Sequence, residues 1–178
     1  MAFSFSQRSK DRMKGLHPDI IAVMELAISR SPIDFTVLEG LRSIERQEQL
    51  YASGASKTMN SRHLTGHAID VAPLVDGHVS WDWPLYHALA PVIKNAAREL
   101  RVSLEWGGDW RTFKDGPHWQ LSWGVYGKDD MTPRAYEPDD YEPVRRGQYV
   151  QPIADHVPTK PSPSWWSELV AAIKDFFK

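Results

Sequence analysis

Apolar residues recur every three to four positions along two long stretches of the chain, and this spacing predicts two amphipathic helices. The first begins at Pro18 and is expected to end before Pro32, because proline interrupts a helix. The second spans residues 84–100. The apolar stripe of the first helix is Ile20, Ile21, Val23, Met24, Ala27 and Ile28, and that of the second is Leu85, Leu89, Val92, Ile93, Ala96 and Leu100.

Shorter segments between and after these helices have the alternating or β-branched and aromatic character of strands. Strands are predicted over residues 34–41, 67–73, 103–106 and 118–123. Ser43 is predicted to cap a third helix that ends at Gly54. Helices and strands do not alternate one for one, as a parallel doubly wound sheet would require. The pattern therefore predicts an α+β fold in which a small antiparallel sheet is flanked by helices.

The distribution of prolines divides the chain into three parts. Of the 13 prolines, seven fall after residue 127, in a stretch that shows neither a helical nor a strand period. We predict a folded domain over residues 1–127 and a linker or arm, rich in proline and charge, over residues 128–163. Residues 164–178 are predicted to form a separate amphipathic helix.

The predicted C-terminal helix has one strongly apolar face. Ser164 can cap it. A helix this short is marginal in water unless its apolar face is covered. Docking onto the chain's own domain, contact with a membrane interface and self-association would each cover that face. Its apolar residues are Trp165, Trp166, Leu169, Val170, Ile173, Phe176 and Phe177.

Overall composition argues against several classes of protein. The 178 residues carry a net charge of −2 and a pI near 6.4, whereas nucleic-acid-binding domains are normally basic. The absence of cysteine excludes disulfide scaffolds, thiolate catalysis and cysteine-based zinc fingers. No apolar run reaches the ~18–20 residues that span a bilayer, and the first residues do not resemble a secretory signal. We expect a monomer, made in the cytoplasm, that does not bind nucleic acid.

Without cysteine, a catalytic zinc site must use histidine nitrogens and carboxylate oxygens, with three protein ligands and one open position. His63, Asp70 and His118 supply such a set. Side chains alternate between the two faces of a strand, so His67 points away from Asp70 on the predicted strand. We therefore do not expect His67 to be a ligand.

A carboxylate and a guanidinium are candidates for the remaining chemistry. Asp115 lies three residues before His118, and the Gly-Pro pair between them allows a bend that brings this carboxylate to a water on the metal. Glu105 and Asp109 are alternative bases, each farther along the chain from a proposed ligand. Arg42 offers a fork of donors to a substrate carboxylate or a developing oxyanion, or forms a structural ion pair.

Two motifs together resemble a known family. They are Ser-x-His-x-x-Gly-x-Ala-x-Asp over residues 61–70 and Asp-x-Pro-His over residues 115–118, and the similarity extends over about residues 4–125. The combination resembles the VanY-like D-Ala-D-Ala carboxypeptidase / L-alanyl-D-glutamate endopeptidase family of zinc peptidases, in particular its phage endolysin branch. That family shares its fold with the hedgehog signalling domain.

The resemblance implies a role for each matching residue. It implies that one zinc ion is bound by His63, Asp70 and His118. Asp115 matches the catalytic base, at a position where some relatives carry glutamate. Arg42 matches an arginine that contacts substrate or transition state, and Ser61 matches a substrate-binding hydroxyl.

The function implied by the resemblance is that of a zinc metallopeptidase acting on bacterial peptidoglycan. It would hydrolyse an amide bond of the stem peptide, between L-Ala and D-Glu, and would reach the wall once the membrane is breached. Two alternatives remain: a D,D-carboxypeptidase that releases terminal D-Ala, and a non-catalytic, zinc-stabilised wall-binding module. Histidine and carboxylate ligands would also suit manganese, iron or cobalt.

Overall fold

The computed structural model describes residues 2–132 of the chain. The α-helices in this part are α1 (Gln7–Arg12), α2 (Pro18–Arg30), α3 (Ile44–Ala52) and α4 (Trp83–Glu99). The strands are β1 (Phe35–Glu39), β2 (Ala68–Val75), β3 (His78–Val79), β4 (Leu104–Trp106) and β5 (His118–Leu121). Two short 3₁₀ turns, Arg62–Thr65 and Gly107–Asp109, precede β2 and follow β4.

At the starts of α2 and α3, polar side chains accept hydrogen bonds from backbone N–H groups that have no partner within the helix. The hydroxyl of Ser43 accepts from the N–H of Arg46 at 3.2 Å and begins α3 where the sequence predicts it. At α2 the cap is Nδ1 of His17, which accepts from the N–H of Asp19 at 3.1 Å. Because Nδ1 accepts, the neutral ring of His17 carries its proton on Nε2. His17 is fully buried, so this cap lies within the core.

The strands form one antiparallel sheet in the order β1-β2-β5-β4, and β3 pairs with β2. The register of this sheet determines which polar side chains become neighbours. Asp70 on β2 lies opposite His118 on β5, and Glu39 at the end of β1 also pairs with Asp70. Three residues far apart in sequence therefore meet at one place on the sheet.

The hydrophobic core lies where α2 and α4 pack against each other and against the sheet. The alternation along β2 is visible in its burial, since Ile69 and Val71 are fully buried and Asp70 is only half-buried. Trp106 and Trp119 lie opposite each other on β4 and β5 and stack with ring centroids 5.8 Å apart. Close packing of this kind makes the sheet a rigid support for the polar residues on its other face.

The observed elements confirm the predicted α+β fold with its small antiparallel sheet. Sequence pattern missed α1, which has six residues and a single buried side chain, and β3, which has two exposed residues. Neither element is long enough to show a period. Apart from residues 128–132, the predicted linker lies outside the described residues, as does the helix over 164–178, and the boundary at 127/128 stays a prediction. Within residues 2–132, no helix is long and apolar enough to cross a membrane.

Candidate metal centre

A tight turn presents His63 beside the start of β2. The 3₁₀ turn Arg62–Thr65 begins at Ser61, whose hydroxyl accepts from the N–H of His63 at 3.3 Å. It ends at Gly66, which has a φ of +71°. A Cβ at Gly66 would also lie 2.4 Å from the carbonyl oxygen of Gly15, so glycine is required here by both conformation and space.

Three donor atoms form a nearly equilateral triangle. Nε2 of His63 lies 3.2 Å from Nδ1 of His118 and 3.3 Å from Oδ1 of Asp70, and the separation of the latter two atoms is 3.2 Å. Zinc–ligand bonds of ~2.0–2.1 Å in a tetrahedral arrangement separate neighbouring donors by about 3.3–3.4 Å. Both the chemistry and the spacing of these donors therefore fit a divalent zinc ion. Among residues 2–132, this is the one cluster of three such residues with the spacing of a metal site.

In each of the two histidines, the ring nitrogen that faces away from Asp70 donates a hydrogen bond to a different acceptor. Nδ1 of His63 donates to the carbonyl of Gly40 at 2.8 Å, which leaves Nε2 free to act as a ligand. Nε2 of His118 donates to Oε1 of Gln120 at 3.1 Å, which leaves Nδ1 free. Gln120 in turn donates to the carboxylate of Glu105 at 3.1 Å. Each ring thus points its free nitrogen towards Asp70.

The charges of the three ligands are mutually dependent. Burial favours the neutral form of Asp70, but the charge of His63 and hydrogen bonds from both histidines hold its pKa well below the usual range. Burial favours the neutral ring of His118, but the hydrogen bond and charge of Asp70 raise its pKa. Both histidines must be neutral at the ligating nitrogen to hold a metal, so metal binding would release any proton bound there.

Arg42 lies behind Asp70, on the wall of the site. Its Nη1 donates to Oε1 of Gln47 at 2.7 Å, and its Nη2 pairs with the carboxylate of Glu39. The same Nη2 lies 3.6 Å from Oδ2 of Asp70, the oxygen that is not part of the triangle. The side chain of Arg42 is only 8% exposed. The ion-pair alternative for Arg42 is therefore observed, and the residue is at the same time part of the site.

Asp115 lies in the site, as predicted. Its backbone N–H donates to the carbonyl of Gly107 at 3.1 Å, and its carboxylate accepts from the backbone N–H of His118. Burial raises the pKa of Asp115, and the negative charge of Asp70 raises it further. A cation bound among the ligands would act in the opposite direction, because it favours the carboxylate form.

The alternative bases lie elsewhere. Asp109 is exposed and pairs with Lys94 at 2.6 Å, away from the ligands. Glu105 accepts from Gln120 and therefore supports a ligand from behind. His67 was not expected to be a ligand, and it does not belong to the ligand cluster. Its Nδ1 lies against Thr65, and its Nε2 lies 2.8 Å from the carbonyl oxygen of Asp130.

A cleft of about 780 Å³ opens in front of the three ligands. Ser61, Asp115 and Arg42 all line it. Its wall also carries four large aromatic side chains: Trp81, Trp110, Phe113 and Trp123. The cleft is large enough to take a short peptide, and the polar groups converge at the ligand triangle.

Three polar residues of the site were not identified by sequence reasoning. Gln47 appears on a helix as an ordinary polar position, yet it is fully buried and joins Arg42 to the loop after α3. Gln120 and Arg62 are also buried and hydrogen-bonded. No periodic signal in the sequence distinguishes these three residues from ordinary polar positions.

Known proteins similar to this chain are L-alanyl-D-glutamate peptidases. The family described as phage L-alanyl-D-glutamate peptidase matches residues 1–121. The L-alanyl-D-glutamate peptidase of Escherichia phage T5 is 32% identical over 130 residues, which cover 71% of this chain and 94% of that protein. The peptidoglycan L-alanyl-D-glutamate endopeptidase CwlK of Bacillus subtilis is 31% identical over 122 residues, covering 60% and 73%. The crystal structure of the Serratia marcescens L-Ala D-Glu endopeptidase ChiX matches with a TM-score of 0.65 and 46% identity, covering 68% of this chain and 92% of that one.

The fold and the site together define an α+β hydrolase whose centre can hold one divalent metal ion. The matched residues include both motifs that carry the three ligands and Asp115. The chain belongs to the phage L-alanyl-D-glutamate peptidase family. The prediction of this family, and of a peptidase, is confirmed.

Proposed function

We propose that the protein is a zinc-dependent endopeptidase that cleaves the amide bond between L-Ala and D-Glu in the stem peptide of peptidoglycan. The observation that carries the proposal is the triangle of His63, Asp70 and His118 donors, with edges of 3.2–3.3 Å, at a cleft that also holds Asp115. The activities of the phage T5, Bacillus subtilis and Serratia marcescens relatives, which are L-alanyl-D-glutamate peptidases, support the choice of bond.

His63, Asp70 and His118 would hold the zinc ion. When bound, zinc polarises a carbonyl group and lowers the pKa of a water molecule to about 7. Asp115 accepts the proton of the attacking water and later returns it to the nitrogen of the leaving amine. Burial of Asp115 favours its protonated form and helps it to hold the proton between the two steps, whereas a bound zinc ion favours the carboxylate form that accepts the proton.

Arg42 and Ser61 have supporting roles in the proposal. Arg42 orients Asp70 through its second oxygen and places positive charge where negative charge develops on the scissile carbonyl. Ser61 uses its oxygen to accept from the N–H of His63, so its hydroxyl proton remains available to donate to the substrate. Both side chains line the cleft.

The proposal also covers where and with what the protein acts. We infer that it works as a monomer, is made in the host cytoplasm and reaches its wall substrate after the membrane is breached. Contact of the 164–178 helix with a membrane interface stays part of the proposal, and that segment lies outside the described residues.

Digestion of purified peptidoglycan tests the reaction. The zinc-loaded protein should release fragments with a new C-terminal L-Ala and a new N-terminal D-Glu, identified by mass spectrometry, and a chelator should abolish the reaction. Asp115→Asn should retain bound zinc but lose about 10²–10⁴-fold in rate, whereas His63→Ala should lose zinc itself. Release of free D-Ala would instead indicate the D,D-carboxypeptidase, and intact peptidoglycan would indicate the wall-binding module.

A further inference from the structure

Four cationic side chains line the cleft, and two of them are committed to structural partners. Arg42 pairs with Glu39 and Asp70. Arg62 is buried and donates to backbone carbonyl groups. Within residues 2–132, no carboxylate pairs with either of the other two, Arg46 and Lys57.

Lys57 is held in a defined position on the cleft wall. The loop that carries it is attached to α3 by Gln47, whose amide donates to the hydroxyl of Ser56 at 2.8 Å and to the carbonyl of Thr58 at 2.6 Å. The ammonium group of Lys57 donates to the carbonyl of Gly54 at 3.1 Å. Two rigid contacts on either side of Lys57 therefore limit how far its Cα can move.

The ammonium of Lys57 also reaches the segment that carries the proposed base. It lies 5.9 Å from the ring centroid of Phe113, which precedes Asp115 by two residues. Since Asp115 is expected to protonate the leaving amine, groups attached to that amine come close to this segment. Lys57 therefore lies next to the segment that carries Asp115, and we take this to be the leaving-group side of the cleft.

The leaving group of the proposed reaction is itself an anion. In an alanyl-glutamate bond the leaving nitrogen belongs to glutamate, and only one of the two glutamate carboxyl groups can continue the stem peptide. The charge of a bound zinc would be shared with Asp70 and Asp115, so the other carboxylate is stabilised by a cation of its own, and Lys57 has no carboxylate partner among residues 2–132. We propose that Lys57 binds this free carboxylate and makes the enzyme prefer a free acid over an amide at that position. The inference rests on the proposed function.

A pair of matched substrates tests the inference. They are N-acetyl-L-alanyl-D-γ-glutamyl-L-lysine with a free α-carboxylate and the same peptide with an α-carboxamide. The zinc-loaded full chain should cleave the acid with a kcat/KM about tenfold higher than the amide. Lys57→Gln should lower kcat/KM for the acid about tenfold and change that for the amide by less than about twofold. Lys57→Arg should restore most of the preference.

Arg46→Gln is the matched control, because it removes one positive charge from the same cleft. It should keep the preference for the acid. If Lys57→Gln and Arg46→Gln lost equal kcat/KM for the acid, the overall positive charge of the cleft and not Lys57 itself would favour the acid. This result would overturn the proposal. A wild-type enzyme that cleaves both peptides equally would also overturn it, while cleavage of neither peptide or of natural peptidoglycan would contradict the proposed function itself.

Discussion

Gln120 determines which nitrogen of His118 faces the other two ligands. An ionised carboxylate only accepts hydrogen bonds, so the Gln120 amide must turn its NH₂ group to Glu105 and its oxygen to His118. That oxygen requires a proton on Nε2 of His118, and Nδ1 is then the nitrogen with a free lone pair. The cross-strand pair of Glu105 and Gln120 thus sets the state of a metal ligand without contributing a ligand itself.

Replacing Gln120 should therefore weaken metal binding. In Gln120→Leu the ring of His118 loses its acceptor and can adopt the wrong tautomer, so zinc affinity should fall about 10–100-fold. Competition with a chromophoric chelator at fixed pH measures this directly. Gln49→Leu, an exposed glutamine on α3, is the control and should bind zinc like the wild type. Unchanged affinity in Gln120→Leu would show that Gln120 does not orient His118.

At the scale of single elements, the turn before β2 depends on one glycine. Gly66 and Gly54 both have positive φ, +71° and +76°, but only Gly66 has a backbone oxygen where a Cβ would be. Gly54→Ala should lower the free energy of unfolding by about 1–2 kcal/mol, because alanine is unfavourable in the left-handed backbone conformation. Gly66→Ala should lower the free energy of unfolding by clearly more, because the backbone at Gly15 must also move. Urea denaturation of both variants measures the difference, and equal losses would mean that the turn adapts freely.

The cap of α2 should make stability depend on pH. Burial lowers the pKa of His17, although nearby Asp19 acts to raise it. Because the unfolded chain binds this proton more readily than the folded one, the free energy of unfolding should fall as pH decreases below about 6.5. Protonation also removes the lone pair that accepts from Asp19.

Asparagine isolates this effect, since it can cap a helix but does not titrate near neutral pH. Between about pH 7.5 and 5.5, His17→Asn should lose less stability than the wild type. Denaturant melts at several pH values measure the difference. His78→Asn, at an exposed histidine on β3, should follow the wild-type curve. Parallel curves for all three proteins would rule out His17 as the source.

At the scale of the whole molecule, Arg62 joins the turn that bears His63 to the chain after β5. Its guanidinium donates to the carbonyls of Leu121, Tyr126 and Gly127 at 3.0–3.2 Å. The ring of Trp123 lies against it, 4.1 Å from the guanidinium carbon to the ring centroid. These hydrogen bonds therefore connect the turn that bears His63 to the end of β5 and to the segment that follows it.

Arg62→Met should destabilise the protein by about 3 kcal/mol or more, because it leaves the buried carbonyl groups of Leu121 and Tyr126 without these donors. The free energy of unfolding from urea melts measures the loss. Arg8→Met, at an exposed position of α1, is the matched control and should stay within about 0.5 kcal/mol of the wild type. A small loss in Arg62→Met would mean that water replaces the guanidinium.

Much of the fold was predictable from local pattern. Apolar periodicity identified α2 and α4, and Ser43 and Gly54 marked the ends of α3. The six-residue helix α1 and the two-residue strand β3 were missed, because α1 has a single buried side chain and β3 has none. Pattern also left open which tryptophans are core: Trp106 and Trp119 are buried, whereas Trp110 and Trp123 line the cleft.

The sequence by itself determined the chemistry of this protein: His63, Asp70, His118 and Asp115 stand in motifs whose residue types suit a metal and a base. Tertiary structure alone decided the partners. Asp70 and His118 meet across 48 residues because β2 and β5 pair in one register, and the pairing of β4 with β5 places Glu105 against Gln120. Gln47, Gln120 and Arg62 looked like ordinary polar positions, because hydrogen bonds between distant segments leave no periodic signal in the chain.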